Sequence, residues 1–397
     1  DAPTSIRAIY TPYRMPQSLY DWLRSALPEG HIEEGIFLWH GDFKPYGHPG
    51  KNMQLGANLS DIKLTYLPEW PDFHSAETTL RLNDTRVSIW SPQSFIADVP
   101  VGKSAIELAI GSQESLLDLQ AETFASLKRV KDALAMFPAL SFALPVIEDL
   151  RITGDAETEL RMSLDLKNLS NRVDFWVTTS FKGAGISSEL LALSANDLSG
   201  EVTFDTVDGF RTEDLTGKLF GEDVNVRMGP HFGTQPNIIL AADINFTPSV
   251  DAILKWQGID HVIPVSGKAP IKVQVEVSDE VSVSIASDLQ GVAIELPHPL
   301  GKVAASHAPI NLKWSNLSDP SWALFWPSRL SAWIGDFANR PLSGLIDLTP
   351  RLEPLTKGVI IDKSSVTLTG EIPRADIADW LALGSKYMGG PDKMAPA

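Results

Sequence analysis

From Ile271 to Ile285 apolar and polar positions alternate without a fault. Ile271, Val273, Val275 and Val277 fall on one side of the chain, and Lys272, Gln274, Glu276 and Ser278 on the other. After Asp279-Glu280 the pattern resumes, with Val281, Val283 and Ile285 set against Ser282 and Ser284. A period of two, rich in β-branched residues, predicts half-buried strands, because successive side chains point to opposite faces of the pleat. The short connection at Ser278-Asp279-Glu280 predicts a hairpin. The same rhythm recurs at Leu160/Met162/Leu164/Leu166, Val173/Phe175/Val177/Phe181, Val202/Phe204, Val224/Val226/Met228 and Ile238/Leu240/Ile244/Phe246. Turn-forming pairs such as Asp208-Gly209 and Gly221-Glu222 separate these runs.

Roughly twenty strands are expected on this basis, which at about 4.8 Å per neighbour would extend a continuous sheet to about 90–100 Å. So much sheet with one apolar face does not stay flat and open in water. It can fold over into sandwiches with sealed cores, or curl lengthwise into an open trough. The alternation alone leaves both open.

Stretches with helical period are few. Leu19, Trp22, Leu23 and Ala26 predict a helix over about 16–27, stopped by Pro28 and Gly30. Leu116, Leu119, Phe124, Leu127, Val130 and Leu134 predict another over 114–137. A last one is expected over about 374–388, before Gly389-Gly390-Pro391. Trp322, Phe325, Trp326, Leu330, Trp333 and Phe337 are spaced at threes and fours, as on a helix packed against the sheet, although Pro327 interrupts them. We expect an N-terminal part over 1–150 holding the first two helices, and a sheet region over 151–397, in one continuous structural unit.

Composition narrows the classes. The 397 residues carry a formal charge of −17, which argues against nucleic acid and against docking on anionic head groups by net charge. The absence of cysteine excludes disulfides, thiolate metal sites and a cysteine nucleophile. The longest uncharged apolar run, Ala133 to Ile147, is too short to span a bilayer and holds Pro138 and Pro145. No nucleotide-binding, zinc-protease, nucleophile-elbow or calcium-loop motif is present. His31, His40 and His48 beside Asp42 do not have a ligand spacing and are assigned to the surface. Carboxylate pairs such as Glu33-Glu34 and Asp376/Asp379 are what fifty acidic residues produce by chance. No catalytic residue, metal or cofactor is therefore assigned.

The segment after the alternating hairpin carries a more specific signal. Ser287, Asp288, Leu289 and Gly291, then Leu296, Pro297, Pro299, Leu300 and Lys302, with Pro309 opening the next strand, resemble a recurring motif of the YhdP branch of the AsmA-like superfamily. The stretches Leu27 to Phe43 and Tyr66 to Trp90 resemble two further pieces of that family, in the same order. The resemblance implies a mainly β fold, a long curled antiparallel sheet forming an open hydrophobic groove, with a few short flanking helices. It implies a periplasmic segment of an inner-membrane-anchored protein, the anchor lying elsewhere, that carries phospholipid between inner and outer membranes without enzymatic chemistry. The expected groove lining is Val273, Val275, Val277, Val281, Val283, Ile285, Leu160, Met162, Leu164, Leu166, Val173, Phe175, Val177, Val202, Phe204, Val224, Val226, Ile238, Leu240 and Ile244. The proline-containing motif is expected to leave the sheet as a rim loop, since neither Pro297 nor Pro299 can donate to a ladder. The competing readings are a structural β module with a sealed core and, less favoured, a β-rich polysaccharide-active enzyme.

Overall fold

The computed structural model describes residues 25–41, 52–65, 67, 69–110, 115–137, 149–166, 173–189, 193–229, 240–256, 263–277, 281–315, 321–335, 343–353, 365–372 and 374–387. The fold is mainly β, about 65% strand and 10% helical. Among the described residues, twenty-two strands join one large unclosed sheet, and two more form a separate ribbon. Two compact units divide the chain: Asp1–Leu191 with Asn196–Arg211, and Ala192–Ala195 with Thr212–Ala397.

The first unit contains β1 (Glu29–His40), β2 (Asn52–Leu64), β3 (Phe73–Asn83), β4 (Arg86–Ser91), β5 (Ser94–Ile96), β6 (Val99–Val101), β7 (Ser104–Ile110), β8 (Ser115–Ser126), α1 (Leu127–Leu134), β9 (Leu150–Thr153), β10 (Asp155–Asp165) and β11 (Asp174–Ser188), with most of β12 (Leu193–Asp205). Antiparallel ladders run β1-β2-β3-β4-β7-β8-β10-β11. Directly opposed residues share a face, so the ladders define the core. Ile89, Ile106, Leu119, Met162 and Phe175 form one row, and Val87, Leu108, Leu117 and Leu164 the next.

An aromatic group covers this face. Trp70 meets Phe137 edge-on at 5.3 Å and Phe175 at 5.8 Å. Phe204 lies 6.3 Å from Phe175 and 4.9 Å from Phe210. The result is a sealed core in which Leu117, Leu119, Leu164 and Phe175 are each 1% exposed. Each such side chain is worth about 1.5–3 kcal/mol relative to leaving it in water.

The helix expected over 114–137 is a correction. Residues from Ser115 to Ser126 are strand, and only Leu127–Leu134 is helical. Ser115, Leu117, Leu119, Ala121 and Ala125 are buried while Asp118, Gln120, Glu122 and Phe124 face water, so a period of two overrides the helical one through Ser126. Ser126 then caps α1, its hydroxyl accepting from the Arg129 amide at 3.4 Å. Of the helix expected at 16–27, residues 16–24 lie outside the described residues.

The second unit contains most of β13 (Gly209–Leu219), then β14 (Glu222–Met228), β15 (Leu240–Phe246), α2 (Val250–Trp256), β16 (Val265–Gly267), β17 (Ile271–Val277), β18 (Val281–Ser287), β19 (Val292–Ile294), β20 (Ile310–Ser315), β21 (Ser321–Trp326), β22 (Leu330–Gly335), β23 (Gly344–Asp347), β24 (Val366–Thr369) and α3 (Ile377–Tyr387). Its ladders are antiparallel up to β23, which pairs with β24 in parallel. The ribbon of β16 and β19 stands apart from them.

A second correction falls here. The tryptophan-rich stretch read at helical spacing is the hairpin of β21 and β22, with Trp322 opposite Ile334 and Trp326 opposite Leu330. Pro327 and Ser328, the latter at φ 61°, form its turn instead of breaking a helix. Phe337 and the 278–280 connection lie outside the described residues.

At the foot of β23, Asp347 is buried yet charged. Its carboxylate accepts from the Thr349 amide at 2.9 Å and pairs with Arg351 at 3.4 Å. Burial alone would raise its pKa, but the bonds from Thr349 and the Arg351 charge outweigh it and hold the group below the usual carboxylate range. Such a group stabilises the fold above the unfolded-state value of about 3.9 and loses its contribution as pH falls through the lower folded value. Asp347→Asn should therefore lower the melting temperature at pH 7, with the gap from the parent closing below pH ~4 in a pH series of thermal melts.

Candidate functional site: an apolar face and its polar rim

The ladders of the second unit align apolar residues strand after strand. Val226, Ile244, Val273, Ile285, Leu312, Leu324, Ala332, Ile346 and Leu368 are each opposite the next, on β14, β15, β17, β18, β20, β21, β22, β23 and β24. Two residues along, Met228, Ala242, Val275, Val283, Trp314, Trp322, Ile334, Gly344 and Val366 make a second row on the same face. Leu240, Val277 and Val281 begin a third. Nine strands at about 4.8 Å apart give these rows a span of about 38 Å, perpendicular to the strands.

The opposite face is largely polar from β14 to β20 and turns apolar at Ala323, Trp333 and Leu345 of β21 to β23. Its register row holds Arg227, Asp243, Gln274, Ser284 and Lys313 before reaching Ala323. Asp243, 4% exposed, takes a bond from Gln274 Nε2 at 3.0 Å and pairs with Lys272 at 3.0 Å and Arg227 at 3.8 Å. A slip of one residue would turn these charges onto the apolar side, so the polar row fixes the register of the apolar ones.

Burial separates this face from the core of the first unit. Val273, Val275, Val281, Val283, Ile285, Leu312, Trp314, Trp322, Leu324 and Ile346 are half-buried, and Val366 and Leu368 are 44% and 66% exposed. Val224, Ala242, Val277, Trp326, Ala332 and Gly344 on this face are buried, as are Thr212 and Leu215 where β13 continues the two rows opposite Met228 and Val226. The aromatic contact of Phe220 with Phe246 and Trp256 covers one end.

Of the expected lining, Val224, Val226, Leu240, Ile244, Val273, Val275, Val277, Val281, Val283 and Ile285 come together on this face. Leu160, Met162, Leu164, Leu166, Val173, Phe175, Val177 and Phe204 belong to the sealed core of the first unit, with Val202 half-buried on β12. Ile238 lies outside the described residues. Sequence reasoning missed Leu312, Trp314, Trp322, Leu324, Ile334 and Ile346. The period-two signal was present in Ile310-Asn311-Leu312-Lys313-Trp314, while tryptophan spacing masked it beyond.

The proline-containing motif builds the structure between β18 and β20. Residues 295–301 form no strand, and Lys302 returns to bridge Ile294. Ser287 Oγ donates to the Pro270 carbonyl at 2.7 Å and accepts from the Leu289 amide at 3.0 Å. Asp288 accepts from the Gln290 amide at 2.9 Å and lies 3.1 Å from His307 Nδ1. The Gln290 bond, then the His307 contact, hold its carboxyl below the usual range. Lys302 is 6% exposed, and its ammonium spends its three protons on the carbonyls of Leu289 (2.8 Å), Val292 (2.9 Å) and Val303 (3.1 Å). Burial, and then the charge of Arg329, push its pKa down.

Two close approaches require glycine here. A β-carbon at Gly291, which has φ 96°, would stand 2.2 Å from the Lys268 carbonyl oxygen, and one at Gly301 would stand 2.0 Å from that of Leu296. Gly291→Ala should destabilise the second unit by at least about 1–2 kcal/mol from backbone conformation alone. Gly384→Ala, in α3 with open space around it, should be neutral or stabilising by up to about 1 kcal/mol. Urea unfolding of both variants checks the contrast.

Among the described residues no group of His, Asp and Glu could hold a metal ion, and no helix is long and apolar enough to cross a membrane. His31 and His40 are exposed on β1, while Asp42 and His48 lie outside the described residues. No curated protein and no solved structure matches the chain. The family model of the YhdP protein does match, over residues 4–396. An unclosed sheet, a lengthwise apolar face and a match across nearly all its length agree: the chain belongs to the YhdP family, AsmA-like proteins of the Gram-negative envelope related to lipid transport.

Proposed function

We propose that this chain is a periplasmic segment of an inner-membrane-anchored protein that carries phospholipid between inner and outer membranes, without enzymatic chemistry. The observation that carries the reading is the pair of unbroken apolar rows crossing nine strands and left half-exposed. A soluble sheet does not ordinarily leave so long an apolar face uncovered, and such patches mark sites where something apolar is bound. Acyl chains suit it by shape and energy. A chain laid along the rows removes its methylenes from water at about 0.8 kcal/mol each. Moving along the rows exchanges one set of equivalent apolar contacts for the next, so no position traps it. The family's relation to lipid transport supports the same cargo. The sealed first unit serves as scaffold in this reading. Its Leu160 and Val177 would meet lipid only if the aromatic cover over Phe175 were displaced.

Val275 sits mid-strand in the second row, half-buried between Ala242 and Val283. In a sealed core an unpaired carboxylate there would cost several kcal/mol and unfold a domain of ordinary stability. On an open face the charge reaches water and the fold survives, but the apolar track is cut. Val275→Asp should therefore give a folded protein that retains little phospholipid in organic extracts analysed by mass spectrometry, and no activity in cells that depend on the full-length protein. Loss of the β signal in circular dichroism with an early melt would favour the structural module and sink the conduit.

A further inference from the structure

At one edge of the apolar face stands a cation with no carboxylate partner among the described residues. Trp326 closes β21 on the same side as Trp322 and Leu324, opposite Leu330 of β22. The guanidinium of Arg329, from the turn between the two strands, lies over the Trp326 ring at 4.5 Å. Its Nη1 donates to the carbonyls of Leu300 at 2.9 Å and Gly301 at 2.8 Å. The rim loop thus clamps one nitrogen and fixes the plane of the group. Nε and Nη2 have no partner among the described residues, and no carboxylate there pairs with Arg329. Burial lowers its pKa, with no acidic neighbour to offset that.

Lys302 is close enough to Arg329 to have its own pKa pushed down by that charge. Asp288 offsets part of that effect at Lys302, whereas no acidic group among the described residues acts on Arg329, in a chain whose fifty acidic residues could have supplied one. The Nε/Nη2 edge of an arginine is the fork that takes two oxygens of a carboxylate or phosphate, and an arginine already held in plane loses little entropy in using it. Lys302 has no proton left to give, so its part is to add positive potential near Arg329.

We infer that Arg329 is a headgroup-binding residue, its free fork taking the phosphodiester of a phospholipid whose acyl chains lie along the rows, at the side edge of the face that Trp326 marks. This rests on the conduit reading and adds a requirement to it, because an apolar track alone would hold a neutral lipid with the same chains equally well.

The test compares dioleoyl phosphatidylglycerol with dioleoyl glycerol, each offered to the full chain in neutral detergent micelles. The parent protein should retain the phospholipid at least about tenfold better, the size expected of charge-assisted hydrogen bonds, and added salt should erode only that preference. Arg329→Gln should lose the preference while keeping the neutral lipid, and Arg329→Lys should recover part of it. Equal retention of both lipids by the parent would overturn the headgroup assignment and leave the track standing. Retention of neither would remove both. An unchanged preference in folded Arg329→Gln would overturn the assignment as well. Should that variant fail to fold, Arg329→Lys and the salt series on the parent decide the matter, salt-insensitive preference counting against it. Glycerol phosphate should compete only weakly, and displacement of phospholipid at micromolar glycerol phosphate would mark a free-phosphate site instead.

Discussion

Everything in this protein depends on the alternation of side chains across a hydrogen-bonded ladder. Within the second unit, each residue lies opposite a partner whose side chain leaves the sheet on the same side. Once Val273 is apolar and opposite Ile285, and Ile285 opposite Leu312, an apolar line across the sheet follows from strand pairing alone. Backbone hydrogen bonds hold the strands, and the charged row through Asp243 prevents the slip that would invert the faces.

The two units use the same ladder to opposite ends. In the first, bulky aromatics lie on top of the apolar rows, and the packing of Trp70, Phe137, Phe204 and Phe210 around Phe175 makes a conventional interior. In the second, the rows themselves are built of Val, Ile, Leu and Trp, yet most of these residues stay half-exposed. The difference lies in what is laid over the sheet and not in the sheet. A covered face returns its burial energy to the fold. An uncovered one leaves that energy to be released by a bound apolar molecule, which is why the second unit is the better candidate for lipid.

Much of this was legible in the sequence. The strict alternation from Ile271 to Ile285 is strong because β-branched residues and polar partners repeat at one period. The fold class and the family followed from it and from the proline-containing motif. The errors came where two periods coexist in one stretch. Leu116, Leu119 and Leu127 fit a helix, but Leu117 and Ala121 complete the strand, and the neighbouring strands β7 and β10 decide between them. Trp322, Trp326 and Trp333 likewise fit a helix until β20 and β23 pair on either side of that hairpin. Whether a given apolar run ends in a core or on an open face was not legible, since it depends on distant covering groups such as Phe137. Arg329 was invisible for a similar reason. Its situation is made by carbonyls some thirty residues upstream.

The register rows also bear on how such a protein can change in length. Because each antiparallel hairpin contributes two residues to every row, inserting one hairpin extends the track by about 9.6 Å without altering its chemistry or the course of the strands that follow. Insertion of a single strand would instead reverse the direction of everything downstream. Span is therefore a counted quantity, adjustable in steps of one hairpin. A longer apolar face could arise by duplicating segments no longer than Ile271 to Ile285, with no new recognition surface required at any step.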